Sequence, residues 1–442
     1  MKNVLFVSGM EGDTRRYRCL HHQEQLTLRG VASTLRTADD LRLYVDVTTH
    51  DLLILHRVAY SPLVGDLIEL AHLRGLPVVF ETDDLIFEPS LYGSIAYLDT
   101  LTPEAAHRFR QSLEGQARSF ALSDFVLTTT EYLAEAARRH GKTVYVHRNA
   151  CSAEMIRTAE EAYALRAAHR AAATEEPCPI LIGYFSGSGS HNRDFALVTP
   201  ALLTVMERYP QVWLHIGGQL DLDARFGAFR NRIRRSPYVA WQELPHLAAQ
   251  IDINLAPLEL DNPFCQAKSE IKYTEAALVG SPTIASPTDA FAHAITHGEN
   301  GLLAGTSEEW VAALTRLVEE PDERRRLGEN ARRHVYADYA PEPRSHQLVS
   351  ALEEIVARYV PTAVDGERLP AVLATAMHAR IQSLEAQLAQ QERQLGYLRE
   401  TVAGWEARPD DDARSFWRLS YEQAEREQTD ALRAILERLR QR

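Results

Sequence analysis

The chain has 442 residues and a formal charge of −13, with 45% hydrophobic and 25% charged residues. That length suits two domains and an appendage, the balance is that of a globular chain, and the acidic excess argues against a nucleic-acid partner. The four cysteines, Cys19, Cys151, Cys178 and Cys265, form no CxxC pair, which argues against a disulfide framework or a structural zinc site. No apolar run reaches the length of a membrane span. The first residues, Met1–Gly9, lack a cleavage site and read as a buried strand. The expected location is therefore cytoplasmic, with peripheral seating on the inner membrane face left open.

Residues 1–150 alternate short apolar runs with helical patterns. Val4–Val7, Leu52–Leu55, Val78–Phe80, Phe125–Leu127 and Val144–Val146 read as strands; Leu63–Arg74, Pro103–Leu122 and Glu131–His140 read as helices. Alternation of this kind predicts a parallel sheet covered on both faces, with ligands at the carboxyl ends of the strands. Two polar segments follow strands there, Ser8–Arg18 and Glu81–Phe87. A helical, alanine-rich connector over 151–177 leads to a second alternating unit, 178–340. Its predicted strands are Ile180–Phe185, Val212–Ile216, Val239–Trp241, Ile253–Ala256 and Thr283–Ala285. A closing helix (341–360) and a linker (361–370) follow. In the tail, 371–442, Ile381, Leu384, Leu388, Leu395, Leu398, Val402 and Trp405 recur at heptad spacing, broken by Gln391. Such a run predicts a coiled coil serving self-association or a partner protein. The competing reading is one amphipathic helix folded back on the body.

Lysine is scarce: of 48 Lys and Arg, only Lys2, Lys142, Lys268 and Lys272 are lysine. Two of these fall together in Asn262-Pro-Phe-Cys-Gln-Ala-Lys-Ser-Glu-Ile-Lys-Tyr-Thr-Glu275, one helical turn apart. Lysine is a compact point charge where arginine is a wide fork, so the pair suits a narrow site that neutralises a phosphate oxygen. The pattern predicts Lys268 in the first turn of a helix, where a cation is disfavoured unless an anion lodges there. A solvated helix face is the plainer alternative. Upstream, Gly183-Tyr-Phe-Ser-Gly-Ser-Gly-Ser-His-Asn-Arg-Asp194 follows a predicted strand. Its small residues let backbone N–H groups approach a phosphate, but it lacks the Gly-Lys-Ser/Thr ending of a Walker loop. His293 and His297 have zinc-compatible spacing without a third ligand or an HExxH glutamate, so a structural role is expected.

From Glu275 the chain continues Ala-Ala-Leu-Val-Gly-Ser-Pro-Thr-Ile-Ala-Ser286, then His297-Gly-Glu-Asn-Gly-Leu-Leu303. This order resembles the donor domain of GT-B glycosyltransferases, most closely the large retaining family 4. Trp241-Gln-Glu-Leu-Pro-His-Leu and Asp252-Ile-Asn-Leu-Ala-Pro257 resemble that family's approach to its donor site. The resemblance covers about 178–340 strongly and 1–150 more loosely. It implies an α/β chain of two Rossmann-like domains facing a cleft, an N-terminal acceptor side and a C-terminal donor side.

The family often carries two glutamates separated by seven residues. Glu275 matches the second, which commonly holds the nucleotide ribose, whereas the first position is Ala267. The variant Asn262-Pro-Phe-x-x-x-Lys resembles a subgroup in which a lysine follows the lost carboxylate. The resemblance then implies a donor site of Gly187, Ser188, Gly189, Asn262, Phe264, Lys268, Lys272 and Glu275. Lys268 and Arg193 would face the diphosphate. Arg16, Arg18, Asp83 and Asp84 would stand on the acceptor side, with Asp84 polarising the acceptor hydroxyl, and Arg148-Asn149 resembles the hinge. It implies a nucleotide-diphosphate sugar as donor, a glycan or protein as acceptor, and neither metal nor further cofactor. The expected activity is retaining sugar transfer; a sugar-nucleotide epimerase and a non-catalytic scaffold presenting the tail are the alternatives.

Overall fold

A computed structural model describes residues 1–95, 98, 101–172, 179–187, 191–362, 364–365 and 367–406. Two six-stranded sheets carry the chain. The first is parallel throughout, in the order β2-β1-β3-β4-β5-β6: β1 Asn3–Ser8, β2 Ala32–Thr37, β3 Leu52–His56, β4 Val78–Thr82, β5 Phe125–Thr128 and β6 Thr143–Val146. Strands covered on both faces read as near-continuous apolar runs. β3 and β4, buried at every position, are apolar up to Leu55 and Phe80 and turn polar only at their carboxyl ends, at His56, Glu81 and Thr82. Edge strand β2, Ala-Ser-Thr-Leu-Arg-Thr, is only partly covered and has no apolar run to betray it.

The second sheet is also parallel, in the order β12-β11-β10-β7-β8-β9: β7 Ile180–Ser186, β8 Val212–Gly218, β9 Ile233–Ser236, β10 Ile253–Ala256, β11 Thr283–Ala285 and β12 Leu302–Leu303. The strand expected at Val239–Trp241 is instead an irregular stretch and turn, and the true edge strand is Ile-Arg-Arg-Ser236. An edge pairs on one side only and tolerates two arginines, so apolar runs mislead there. Strand order reverses between β1 and β3 in one sheet and between β7 and β10 in the other. Crevices at such switch points, beyond the carboxyl ends of the strands, are where open α/β sheets bind ligands.

Helix Ala153–Ala172 links the two units. Helix Pro341–Arg358 crosses back, seating Leu348, Leu352 and Ile355 against Val4, Phe6 and Ile54 of the first sheet's core. The helix Leu369–Glu406 then lays Leu369, Val372, Leu373, Ala376 and Met377 on helix Pro62–Arg74 and the core around it. Its opening turns are thus spent on the chain's own first domain. Leu384 is buried while Ile381 and Leu388 are half-buried; the side chains of Leu395, Leu398, Val402 and Trp405 lie outside the described set, as does everything after 406.

Candidate active site

The two switch points face one another across a cavity of about 350 Å³, within the range of small-molecule sites. The first domain supplies Asp13, Thr14, Arg16 and Tyr17 after β1, Arg57 after β3, and Asp83 and Asp84 after β4. The second supplies Gly187, His191, Gly217 and Gly218 near the ends of β7 and β8, Tyr238 and Trp241 after β9, and Lys268, Lys272 and Glu275 after β10.

On the second wall, the Lys268 ammonium has no hydrogen-bond or ion-pair partner among the described residues. Lys268 is not in the first turn of a helix: it caps the C-terminus of the short helix Pro263–Ala267, extended at φ −66°, ψ 139°. The next helix, Ile271–Leu278, starts three residues later, so its macrodipole does not penalise this cation. Lys272 does lie in that helix's first turn. Its Nζ donates to the Phe185 carbonyl and sits 4.8 Å from the Tyr184 ring. Burial pulls its pKa down to about 8, despite Glu275 and Asp194 nearby. Glu275, one turn on, accepts a 2.8 Å hydrogen bond at Oε1 from Tyr17 Oη in the first domain. Burial raises its pKa, against the opposing pull of Tyr17, Arg16 and Lys272.

On the first wall, Asp83 accepts from Thr14 Oγ1 at 2.7 Å and pairs with Arg57 Nη1 at 3.2 Å. Burial alone would raise its pKa, but Arg57, His56 and Thr14 more than offset that and hold it below the ordinary value. Asp84 lies 4.0 Å from Arg57 Nη2. Among the described residues Arg57 is the non-glycine residue with positive φ, 48°, a conformation that costs energy and collects at functional sites. Gly9 makes room for it, since a Cβ there would lie 2.5 Å from the Arg57 carbonyl oxygen. Arg16 pairs with Asp13 at 3.0 Å and reaches over the Trp241 ring at 4.7 Å.

The cavity thus gathers Gly187, Lys268, Lys272, Glu275, Arg16, Asp83 and Asp84 from the sequence-predicted set. Four others are elsewhere. Arg18 is fully buried, bonded to Glu81 at 2.5 Å, to the His147 carbonyl at 2.9 Å and to Asn149 at 3.0 Å; it ties the turn after β1 to β4 and to the segment after β6. Arg193 is exposed on helix Asn192–Arg208 and does not line the cavity, whereas His191, just before that helix, does. Asn262 is spent as a helix cap, accepting from Phe264 N at 3.0 Å and donating to Glu259. Phe264 packs with Phe80, Phe87 and Phe120 of the first domain. Ser188 and Gly189 lie outside the described residues. Arg57, Thr14, Tyr17, His191 and Tyr238 escaped sequence reasoning, whereas Trp241 falls in the segment that resembles the family's approach to its donor site. For Arg57 a signal existed: a cation directly after the buried run Leu52–His56.

Arg148 lies off the cavity, paired with Glu270 at 3.4 Å, while Asn149 donates to Ser269 at 2.9 Å, so this segment ties the two domains. His297 Nδ1 accepts from Leu303 N, in keeping with a structural role. Asp194, Glu259 and Cys265 come close enough to hold a metal ion, but Cys265 and the Glu259 amide already occupy one Asp194 oxygen, both at 3.4 Å. Among the described residues no helix is long and apolar enough to cross a membrane.

Residues 199–350 match a protein-family model described as glycosyl transferase-like. Solved structures resemble nearly the whole body. HepE of Anabaena in complex with UDP is 16% identical, with 80% of this chain and 100% of that one covered and a TM-score of 0.55. The fold is GT-B. Sucrose-phosphate synthase from Thermosynechococcus elongatus is 14% identical, covering 81% and 100%, at a TM-score of 0.55. WaaG, a glycosyltransferase of lipopolysaccharide biosynthesis, is 13% identical over 80% and 99%, at 0.51. HepE has also been solved with UDP-glucose and with UDP and glucose. No curated protein matches the sequence.

Proposed function

We propose that the chain is a retaining, family 4-like glycosyltransferase that moves a sugar from a nucleotide-diphosphate sugar to a glycan or protein acceptor. The observation that carries this is Lys268, an unpartnered cation among the described residues, set with Lys272 and Glu275 across an interdomain cavity from Asp83 and Asp84. Departure of a nucleoside diphosphate needs positive charge fixed in advance at the leaving oxygens, and that preorganisation is the largest available contribution to rate. Lys268 and Lys272 supply it. The Glu275 carboxylate receives the ribose hydroxyls. Asp83, paired to Arg57 and held ionised, orients the acceptor, and Asp84 beside it polarises the attacking hydroxyl. The acceptor oxygen bonds to the anomeric carbon on the face the diphosphate leaves, and the acceptor proton passes to the departing phosphate oxygen, so configuration is retained. The UDP complexes of HepE make UDP-sugars the first donors to test. The tail, beyond the turns packed on the first domain, is assigned to oligomerisation or partner docking.

The test is UDP release from a panel of UDP-sugars and acceptor sugars, with the product's anomeric configuration read by proton NMR. A retained linkage supports the proposal. An inverted linkage removes the retaining assignment, an epimerised donor points to the epimerase, and binding without turnover points to the scaffold.

A further inference from the structure

One side chain of the first domain enters the nucleotide side of the cavity. Tyr17 lies in a π turn, Arg16–Leu20, between β1 and helix His21–Leu28. Such turns insert an extra residue and re-aim side chains, often at functional sites. Its ring is 3% exposed, meets His21 edge-on at 4.9 Å between centroids, and carries the Arg16 guanidinium at 4.3 Å. Few rotamers are open to a ring held on these sides. Its hydroxyl crosses the domain boundary to Glu275 Oε1 at 2.8 Å. Burial holds the phenol pKa well above its ordinary value, so the hydroxyl stays protonated and donates. Among the described residues nothing else binds the Glu275 carboxylate, so Oε2 is left for a ligand.

We infer that Tyr17 is a positioning residue of the donor site: its hydroxyl fixes the Glu275 carboxylate so that the second oxygen meets the ribose diol. This rests on the nucleotide-sugar reading above. It makes the nucleotide pocket a property of both domains, complete only when the first domain's π turn reaches the second domain's helix. Charged and titratable groups around Glu275 are Tyr17, Arg16 and Asp13 from the first domain, Lys272 on its own helix, Tyr238 after β9, and Cys151 at the head of the connector. Burial raises the Glu275 pKa and the Tyr17 bond opposes that rise. Removing the hydroxyl therefore moves the acid limb of nucleotide affinity to higher pH, which a purely structural tyrosine would not do.

The experiment is calorimetric titration of the full chain with UDP, ADP and GDP between about pH 5 and 8. It compares wild type with Tyr17→Phe, Glu275→Gln and the double variant. Tyr17→Phe keeps the buried ring and removes only the donor; Glu275→Gln supplies a second entry to the same bond. The expected result is about tenfold weaker binding in Tyr17→Phe, from one hydrogen bond to a charged group. Its acid limb should shift upward, and the substitution should add less than about twofold in the Glu275→Gln background. Unchanged affinity and pH profile in Tyr17→Phe, with wild type binding normally, overturns the Tyr17 role alone. Absence of nucleotide binding by wild type overturns the donor-site reading and this inference together.

Discussion

Titrating Lys272 should disarm the nucleotide site in a way that identifies the residue. Its pKa, brought by burial from the ordinary 10.5 to about 8, places the charge change inside an accessible range. A bound diphosphate favours the ammonium form, so binding must restore a proton that the free protein loses above about pH 8. The charged fraction of the free protein falls from about nine-tenths at pH 7 to about one-tenth at pH 9. Affinity for UDP should therefore drop about tenfold across those two units, equivalent to roughly 1.4 kcal/mol. The second ionisation of a terminal phosphate, near pH 6, lies below this window. Stability of the unliganded protein moves the other way. A lysine depressed in the folded state is a burden at pH below 8, because the unfolded chain holds the proton more tightly. That burden is relieved as pH climbs through about 8 toward the unfolded value near 10.4. Calorimetry with UDP at several pH values reads the first trend and thermal unfolding without ligand reads the second. Lys272→Arg should flatten the binding profile by keeping the charge, and Lys272→Met should flatten it at weaker affinity. A wild-type affinity that is flat from pH 7 to 9, or a slope that survives in Lys272→Met, would refute the reasoning.

Three further outcomes follow from other parts of the structure. Lys268→Ala should weaken UDP binding by about tenfold or more, from a lost charge-assisted contact, while leaving the melting temperature unchanged because the side chain holds nothing; a lowered melting temperature would contradict this. Arg18→Met leaves Glu81 buried beside His56 without its cation, which should cost about 3–5 kcal/mol in urea unfolding, and a loss below about 1 kcal/mol would show that the pair is dispensable. Gly218 has φ 80°, and a Cβ there would lie 1.9 Å from the Ser186 carbonyl oxygen. Gly218→Ala should therefore lower stability by an amount on the order of 1–3 kcal/mol and impair nucleotide binding, because the ends of β7 and β8 form the cavity wall; intact stability and binding would contradict the close approach.

Buried parallel strands were the most legible part of the fold. Leu52–Leu55, Ile253–Ala256 and Thr283–Ala285 could be read because both faces are covered and their sequences are mostly apolar, with Asn254 and Thr283 the buried polar exceptions. Edge strands β2 and β9 could not, since half their surface meets solvent and Arg36, Arg234 and Arg235 fit there without penalty. At the site, residue type was legible and local geometry was not. Lys268, Lys272 and Glu275 share a wall, but one helix was expected where the chain breaks after Ala267 and restarts at Ile271. That break turns Lys268 toward the cavity and consumes Asn262 as a cap. Arg18 and Arg16 look alike in sequence, yet the π turn sends one to Glu81 in the interior and the other to Trp241 at the cavity. Tyr17 was invisible as a site residue because its partner, Glu275, lies 258 positions away.

The central claim is that the interdomain cavity binds a nucleoside diphosphate through Lys268 and Lys272. Its most direct test is calorimetric titration of the full chain with UDP, ADP and GDP, for wild type and for the Lys268→Ala, Lys272→Met double variant. The account predicts one-to-one binding of one of these nucleotides by wild type, lost in a double variant that remains folded. Undiminished binding by the folded double variant, or no binding by wild type, would contradict it.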